Sequence, residues 1–397
     1  MRKKKNNLLI SKLLFTSLII ILYLVGRSIP LINVDNAGLA VENIDPQTLL
    51  MQTIGGDYKK YSVFALGISP YMMSSVIVQM ILACRSSDAK ARISPKRVNL
   101  AVILLTLVVG TIQSVLLVRD LKFNGSYYLL DRAVAVSELM TGALIILWLS
   151  ARNKKYGIGG QTALIYVNVC DSFVRLIASE PVDQLVIPII ISLAIVIIVG
   201  LMEMSELRIP VQRISIHNIY ADKNYMAIKL NPIGVMPVMF STAVFMLPQL
   251  AFNMLGMMLP ENDLVHRINE NLNMNTLPGI IVFLVIVYLL TIIFSFIFIN
   301  PGDITEQMLK SGDSFLDIHA GKETQRFLRR RLLHVSLISA SVMCLILGTS
   351  MSLKISGVIS SSLSMLPSTV MIITGIWCNI YQEFLAVRDS DSYREFL

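Results

Sequence analysis

Ten stretches of this chain stay apolar for about 20 residues each, and few folds can accommodate that pattern. They fall near 8–25, 62–83, 98–118, 133–150, 161–178, 184–202, 233–252, 277–299, 332–351 and 365–386. As a helix, a run of that length rises about 30 Å, the thickness of a bilayer's hydrocarbon. Lipid offers the backbone no hydrogen-bond partner, so each such run must satisfy its own amides as a helix. Composition points the same way. Of 397 residues, 54% are hydrophobic and only 15% charged, with a mean hydropathy of +0.67. A soluble domain carries about 25% charged residues to coat its core. A disordered chain, a collagen-like chain and an ordinary water-soluble enzyme are excluded. The expected fold class is an all-α membrane protein with ten transmembrane helices.

Charge sets the expected orientation. Arg2-Lys3-Lys4-Lys5 precede the first run, which lacks a clear small-residue cleavage site and is read as a retained span rather than a signal peptide. With the N-terminus inside, most of the 34 Lys and Arg fall in cytoplasmic segments, as the positive-inside rule requires. The expectation is a multi-pass protein of the cell membrane with both termini cytoplasmic. The net charge of +8 is then a product of lipid topology and gives no reason to expect nucleic acid. Cys84, Cys170, Cys344 and Cys378 are far apart, with no spacing that suits a metal site or a disulfide framework.

A short pattern occurs twice. Gly67-Ile68-Ser69-Pro70-Tyr71-Met72-Met73-Ser74-Ser75 opens the second span, and Gly234-Val235-Met236-Pro237-Val238-Met239-Phe240-Ser241-Thr242 opens the seventh. Each is the second span of a set of five. Five is odd, so the two copies cross the membrane in opposite directions. The reading is an inverted repeat with halves 1–183 and 184–397, and Gly/Pro-interrupted segments in matching positions point to the working site.

Ionisable residues inside the spans are few, whereas an ion-coupled transporter usually carries several. Lys12, Glu138 and Glu203 lie near span ends. Asp171 and Arg175, four apart in span 5, suit a local ion pair or a polar face toward water. Span 5 is also interrupted by Gln161, Thr162, Tyr166, Asn168 and Ser172. No nucleophile elbow, phosphate loop or histidine cluster is present, so the chain does not read as an enzyme and requires no cofactor. Residues 27–61 are too polar to span and too apolar for a tether, as in a re-entrant segment. The loops 203–232 and 299–331 carry dense mixed charge suited to a soluble partner. A conduit, a small-solute transporter and a membrane scaffold all remain open at this point.

Several motifs resemble the SecY family, the channel subunit of the protein translocase. Phe64-Ala65-Leu66-Gly67-Ile68-Ser69-Pro70-Tyr71 through Gln79 resembles its second-span motif. Tyr156-Gly157-Ile158-Gly159-Gly160 resembles its entry to span 5, and Arg208-Ile209-Pro210-Val211-Gln212 its loop between spans 6 and 7. Residues 229–240 and Ile299-Asn300-Pro301 resemble the start of its span 7 and the opening of its span 8–9 loop. The departures are Gly160-Gln161-Thr162 for Asn-Gly-Ile, Arg213 for a tyrosine, and Ile318-His319-Ala320-Gly321 for Ile-Arg-Pro-Gly. They are similar to the accessory SecY of Gram-positive bacteria, an exporter of serine-rich glycoprotein adhesins. Housekeeping secretion is the alternative.

The resemblance implies a clamshell of two five-helix halves with a lateral gate. It places a pore ring at Ile68, Met72, Tyr166, Cys170, Met239 and Ile372, with Ile165 and Val169 as the alternative span 5 register. It places a plug around 45–56, including Asp45, Leu49, Met51, Gly55 and Gly56. It marks Gly67, Pro70, Gly234 and Pro237 as gate-helix positions, and Arg208, Gln212, Arg213, His319 and Lys322 as the surface for a SecA-type motor ATPase. The implied partners are that motor, small SecE-like and SecG-like or accessory membrane subunits, the translocating polypeptide and the lipid bilayer. An apolar ring dewets when narrow and holds back ions, while making no specific hydrogen bond to a passing chain.

Overall fold

The computed structural model describes residues 7–34, 61–83, 93–119, 121, 123, 128–178, 181–213, 225–242, 244, 245, 248, 271, 276–315, 318–356 and 363–393. Its helices are α1 (Asn7–Arg27), α2 (Ser69–Ala83), α3 (Pro95–Arg119), α4 (Tyr128–Tyr156), α5 (Gly160–Ala178), α6 (Val182–Met204), α7 (Leu277–Phe298), α8 (Pro301–Ser311), α9 (Lys322–Ile355) and α10 (Leu366–Tyr393). Three strands interrupt them: β1 (Glu206–Arg213), β2 (Tyr225–Lys229) and β3 (Asp313–Phe315). A further helical stretch covers 236–242.

Among the described residues, seven helices are long and apolar enough to cross a bilayer, and Ser69–Leu82 is a shorter apolar helix. The other two expected spans are present as helix with a weaker signature. Asn168, Asp171 and Arg175 dilute the apolar character of α5, and span 7 is described as helix mainly over 236–242. Lipid exposure explains why apolar side chains line the outside. Leu14, Ile190, Leu193 and Leu345 are each more than 60% exposed, which water would penalise and hydrocarbon does not.

The chain divides into two compact units. The first comprises residues 1–82, 91–189 and 359–397, and the second 83–90 and 190–358. Compactness and repeat symmetry are different divisions. The last helix, α10, packs on α5 and α1 and so joins the first unit, although the repeat counts it with the second half.

In the first unit, Leu31, Ala65, Leu66, Val118, Leu139 and Ala143 form a core around the segment that precedes α2. Backbone bonds from Leu31 N to Tyr61 O and from Val63 N to Ile29 O, both 3.0 Å, tie together the two described ends of the 27–61 segment. Gly142 permits this packing, because a Cβ there would lie 1.9 Å from the Val63 carbonyl oxygen. At the opposite end of α4, Asn153 is fully buried and donates to the carbonyls of Ile158 (3.1 Å) and Gly160 (2.8 Å). It thereby shapes the tight turn into α5, where Gly159 and Gly160 have φ of +78° and +45°.

In the second unit the two long loops meet in one antiparallel sheet of order β2-β1-β3. Glu206 to Pro210 pair with Lys229 to Tyr225, and Val211 to Arg213 pair with Phe315 to Asp313. Leu207, Ile209 and Val211 alternate to one face, where Ile228, Met308, Phe315 and Leu328 complete a small core with α8 and the start of α9. Pro210 sits where β1 changes partner from β2 to β3, so its missing N–H leaves no gap in the ladders.

Candidate channel elements and docking sheet

The two Gly-x-x-Pro motifs fold alike. Gly67 has φ +58° and Gly234 φ +69°, both in the left-handed region that only glycine enters without strain. Each glycine ends an irregular approach, and two residues later a helix starts, with Pro70 or Pro237 as its second residue. Proline is favoured there because the first-turn amides have no helical acceptor. The first backbone bonds also match: Met72 N to Ile68 O at 3.1 Å, and Met239 N to Val235 O at 3.3 Å. Ser74 donates to the Pro70 carbonyl and Ser241 to the Val238 carbonyl, each at 2.7 Å. Gly67, Pro70, Gly234 and Pro237 are all buried.

The candidate ring residues separate by exposure. Ile68, Met72, Met239 and Ile372 are buried. On α5, Ile165 and Val169 turn into the first unit's core, while Tyr166 and Cys170 are half-buried. The Tyr166 ring lies 6.2 Å from that of Trp377 on α10. The plug positions Asp45, Leu49, Met51, Gly55 and Gly56 lie outside the described residues.

The polar side of α5 is tied to α1. Tyr23 donates to Asn168 Oδ1 at 2.6 Å. Asp171 accepts from Arg175 at 3.0 Å, the i,i+4 pair anticipated, and also from the buried Arg27 at 2.5 Å. Arg27 was not legible as the third member, because it lies 144 residues away in sequence.

Of the expected docking residues, Arg208, Gln212 and Arg213 lie in the sheet, and His319 and Lys322 lie beyond it at the start of α9. Arg208 projects from β1, 63% exposed, with its guanidinium 4.7 Å from the Tyr225 ring centre and its Nε 4.0 Å from Glu206. Gln212 pairs with Ser314, and the Arg213 backbone with Asp313. His319 is 92% exposed and 3.2 Å from Glu323, beside Lys322, where α9 begins. Tyr225 and Glu206 were missed. The alternation Leu207, Ile209, Val211 was the available signal for a strand that would present Arg208 outward.

Beside these helical spans, two like-folded Gly-x-x-Pro entries and a charged loop sheet, comparison with known proteins gives the lineage. The SecY family model matches residues 62–381. The chain belongs to the SecY family. The accessory Sec system protein translocase subunit SecY2 of Streptococcus sanguinis (strain SK36) is 29% identical over 412 residues, covering 98% of each chain. SecY2 of Leuconostoc gelidum subsp. gasicomitatum is 28% identical over 408 residues, covering 98% of this chain and 96% of that relative. A solved structure described as that of a protein conducting channel aligns with TM-score 0.66 at 16% identity, over 96% of this chain and 93% of the other. Sec61 in the canine ribosome-channel complex aligns with TM-score 0.60 at 16% identity, over the same shares. At such identities the solved structures establish the SecY fold, an all-α membrane architecture. As a SecY-family member the protein is a channel subunit for protein translocation.

Proposed function

We propose that this SecY protein conducts unfolded polypeptide across the cell membrane as the channel of an accessory Sec system, with both termini cytoplasmic. A SecA-type ATPase supplies the drive, and small SecE-like and SecG-like or accessory subunits complete the complex. The cargo class is a serine-rich glycoprotein adhesin, with general secretion as the second reading. The observation that carries the channel reading is the shared geometry of the two Gly-x-x-Pro entries, which gives the spans 2 and 7 equivalent, buried, apolar starts. A slender methionine at each, Met72 and Met239, adapts to side chains of varied shape.

The ring is read as Ile68, Met72, Tyr166, Cys170, Met239 and Ile372. Half-burial of Tyr166 and Cys170 favours this register over Ile165 and Val169, which are consumed by core packing. The plug is assigned to 45–56. Arg208, Gln212, Arg213, His319 and Lys322 dock the motor, because the sheet binds both charged loops into one rigid platform.

Photo-crosslinker placed at Met72 and at Met239 tests the channel. A secretory chain stalled in the assembled translocase is expected to crosslink at both positions and not at the lipid-exposed Leu345. Absence of crosslinks at both, with translocation intact, overturns the assignment. ATP-independent uptake of a small solute by the chain alone would favour a transporter.

A further inference from the structure

The apolar part of α9 starts abruptly. Arg329, Arg330 and Arg331 end its charged first third, and from Leu332 to Leu353 the helix carries no Lys, Arg, Asp or Glu. That stretch rises about 33 Å, one hydrocarbon thickness. Arg330 and Arg331 therefore stand at headgroup level. At this level a cavity of about 290 Å³ is lined by Phe327, Arg330, Arg331 and His334.

Position around the helix says what the cavity opens onto. At about 100° per residue, these four side chains share one arc of the helix, centred about 120° around from the buried Leu328, Leu332, Val335 and Ser339. About one and three turns beyond His334 along that outer face come Ile338, 53% exposed, and Leu345, 66% exposed. A cationic notch thus runs directly into an apolar stripe. The notch is also held in shape. The Arg331 guanidinium lies 5.2 Å from the Phe327 ring centre, and Phe327 packs 5.5 Å from Phe315 of β3.

We propose that this notch is a binding site for one anionic phospholipid. Arg330 and Arg331 grip the phosphodiester in the planar, multi-donor manner that guanidinium groups allow, with an imidazole N–H of His334 as a further donor. The acyl chains lie along Ile338 and Leu345. The amphiphile is selected over a soluble anion because the donors and the apolar stripe are continuous, and an acidic peptide would satisfy only the first.

The test uses the full chain purified in detergent and offered equal amounts of phosphatidylglycerol and phosphatidylcholine with identical acyl chains, with retained lipid read by native mass spectrometry. Phosphatidylglycerol is expected to be retained preferentially. The preference should fall about fivefold for each of Arg330→Gln and Arg331→Gln, the effect of one basic residue near a charged surface. Arg329→Gln removes the same charge from a different face and should leave the preference unchanged. Arg330→Lys with Arg331→Lys keeps the charge but loses the planar fork, so the preference should fall, though by less than in the Gln variants, which controls for folding. An equal loss with Arg329→Gln would reduce the effect to diffuse surface charge. An unchanged preference in the Gln variants overturns the site. Displacement by inorganic phosphate or by a glutamate-rich peptide would reassign it to a soluble anion or a protein partner.

Discussion

Asn231 donates to Glu203 Oε1 at 2.8 Å and accepts from Ser339 Oγ at 2.9 Å, so one buried amide joins the end of α6, the start of span 7 and the middle of α9. The bond lies at the base of the β1–β2 hairpin, which is closed by Leu230 N to Ser205 O at 3.0 Å. Asn231 sits three residues before Gly234. A hairpin that bears Arg208, Gln212 and Arg213 is thereby fastened to the segment that leads into the second Gly-x-x-Pro motif.

Asn231→Ala should therefore destabilise the protein by about 1–3 kcal/mol, since it removes the donor to a buried carboxylate and the acceptor for Ser339 together. Thermal unfolding in detergent reads this loss. Ser339→Ala removes one bond at the edge of the same network and should cost less. Equal losses would mean that Asn231 does not bridge the three segments.

Gly67→Ala and Gly234→Ala should be destabilising to similar extents, by about 1–2 kcal/mol each, because both place a Cβ on a left-handed residue. Asparagine enters that conformation more readily, but both sites are buried, so Gly67→Asn and Gly234→Asn should cost at least as much as the alanine variants. Paired melting curves for the four variants check the equivalence of the two motifs.

Asp171 places a negative charge beside the buried Arg27. Asp171→Asn should lower stability by about 2–4 kcal/mol, whereas Arg175→Gln, whose side chain is 40% exposed, should cost below about 1 kcal/mol. Unfolding of the two variants side by side distinguishes a clasp between α1 and α5 from a local pair within α5. Similar costs for both would leave only the local pair.

Arg208→Ala lies on an exposed strand face and should change stability by no more than about 0.5 kcal/mol. If the sheet docks the motor, the same variant lowers translocation-coupled ATPase activity several-fold. Tyr225→Ala, which removes the ring beneath the guanidinium, should do so more weakly. Wild-type coupling in both variants would place the docking surface elsewhere.

The sequence was most informative where the constraint is local. An apolar run of span length must be a helix in lipid whatever surrounds it, so α1, α3, α4, α6, α7, α9 and α10 were legible as spans. The left-handed glycines and the following prolines constrain only their own dihedral angles, so both Gly-x-x-Pro entries were equally visible. The Asp171–Arg175 pair belongs to the same class, since four residues along one helix always meet.

Facing and long-range partnership were decided by the tertiary structure. A helix apolar on every side carries no moment that separates its lipid face from its packed face, so Ile372 at 0% and Trp377 at 57% exposure look alike in the sequence. Strand alternation marks β1, yet nothing local says that β3, about a hundred residues on, will close its sheet. The same holds for Arg27, whose carboxylate partner becomes near only when α1 packs on α5. Hydropathy and dihedral preference act within a few residues of chain, and burial, ion pairing and sheet closure depend on which segments the fold brings together.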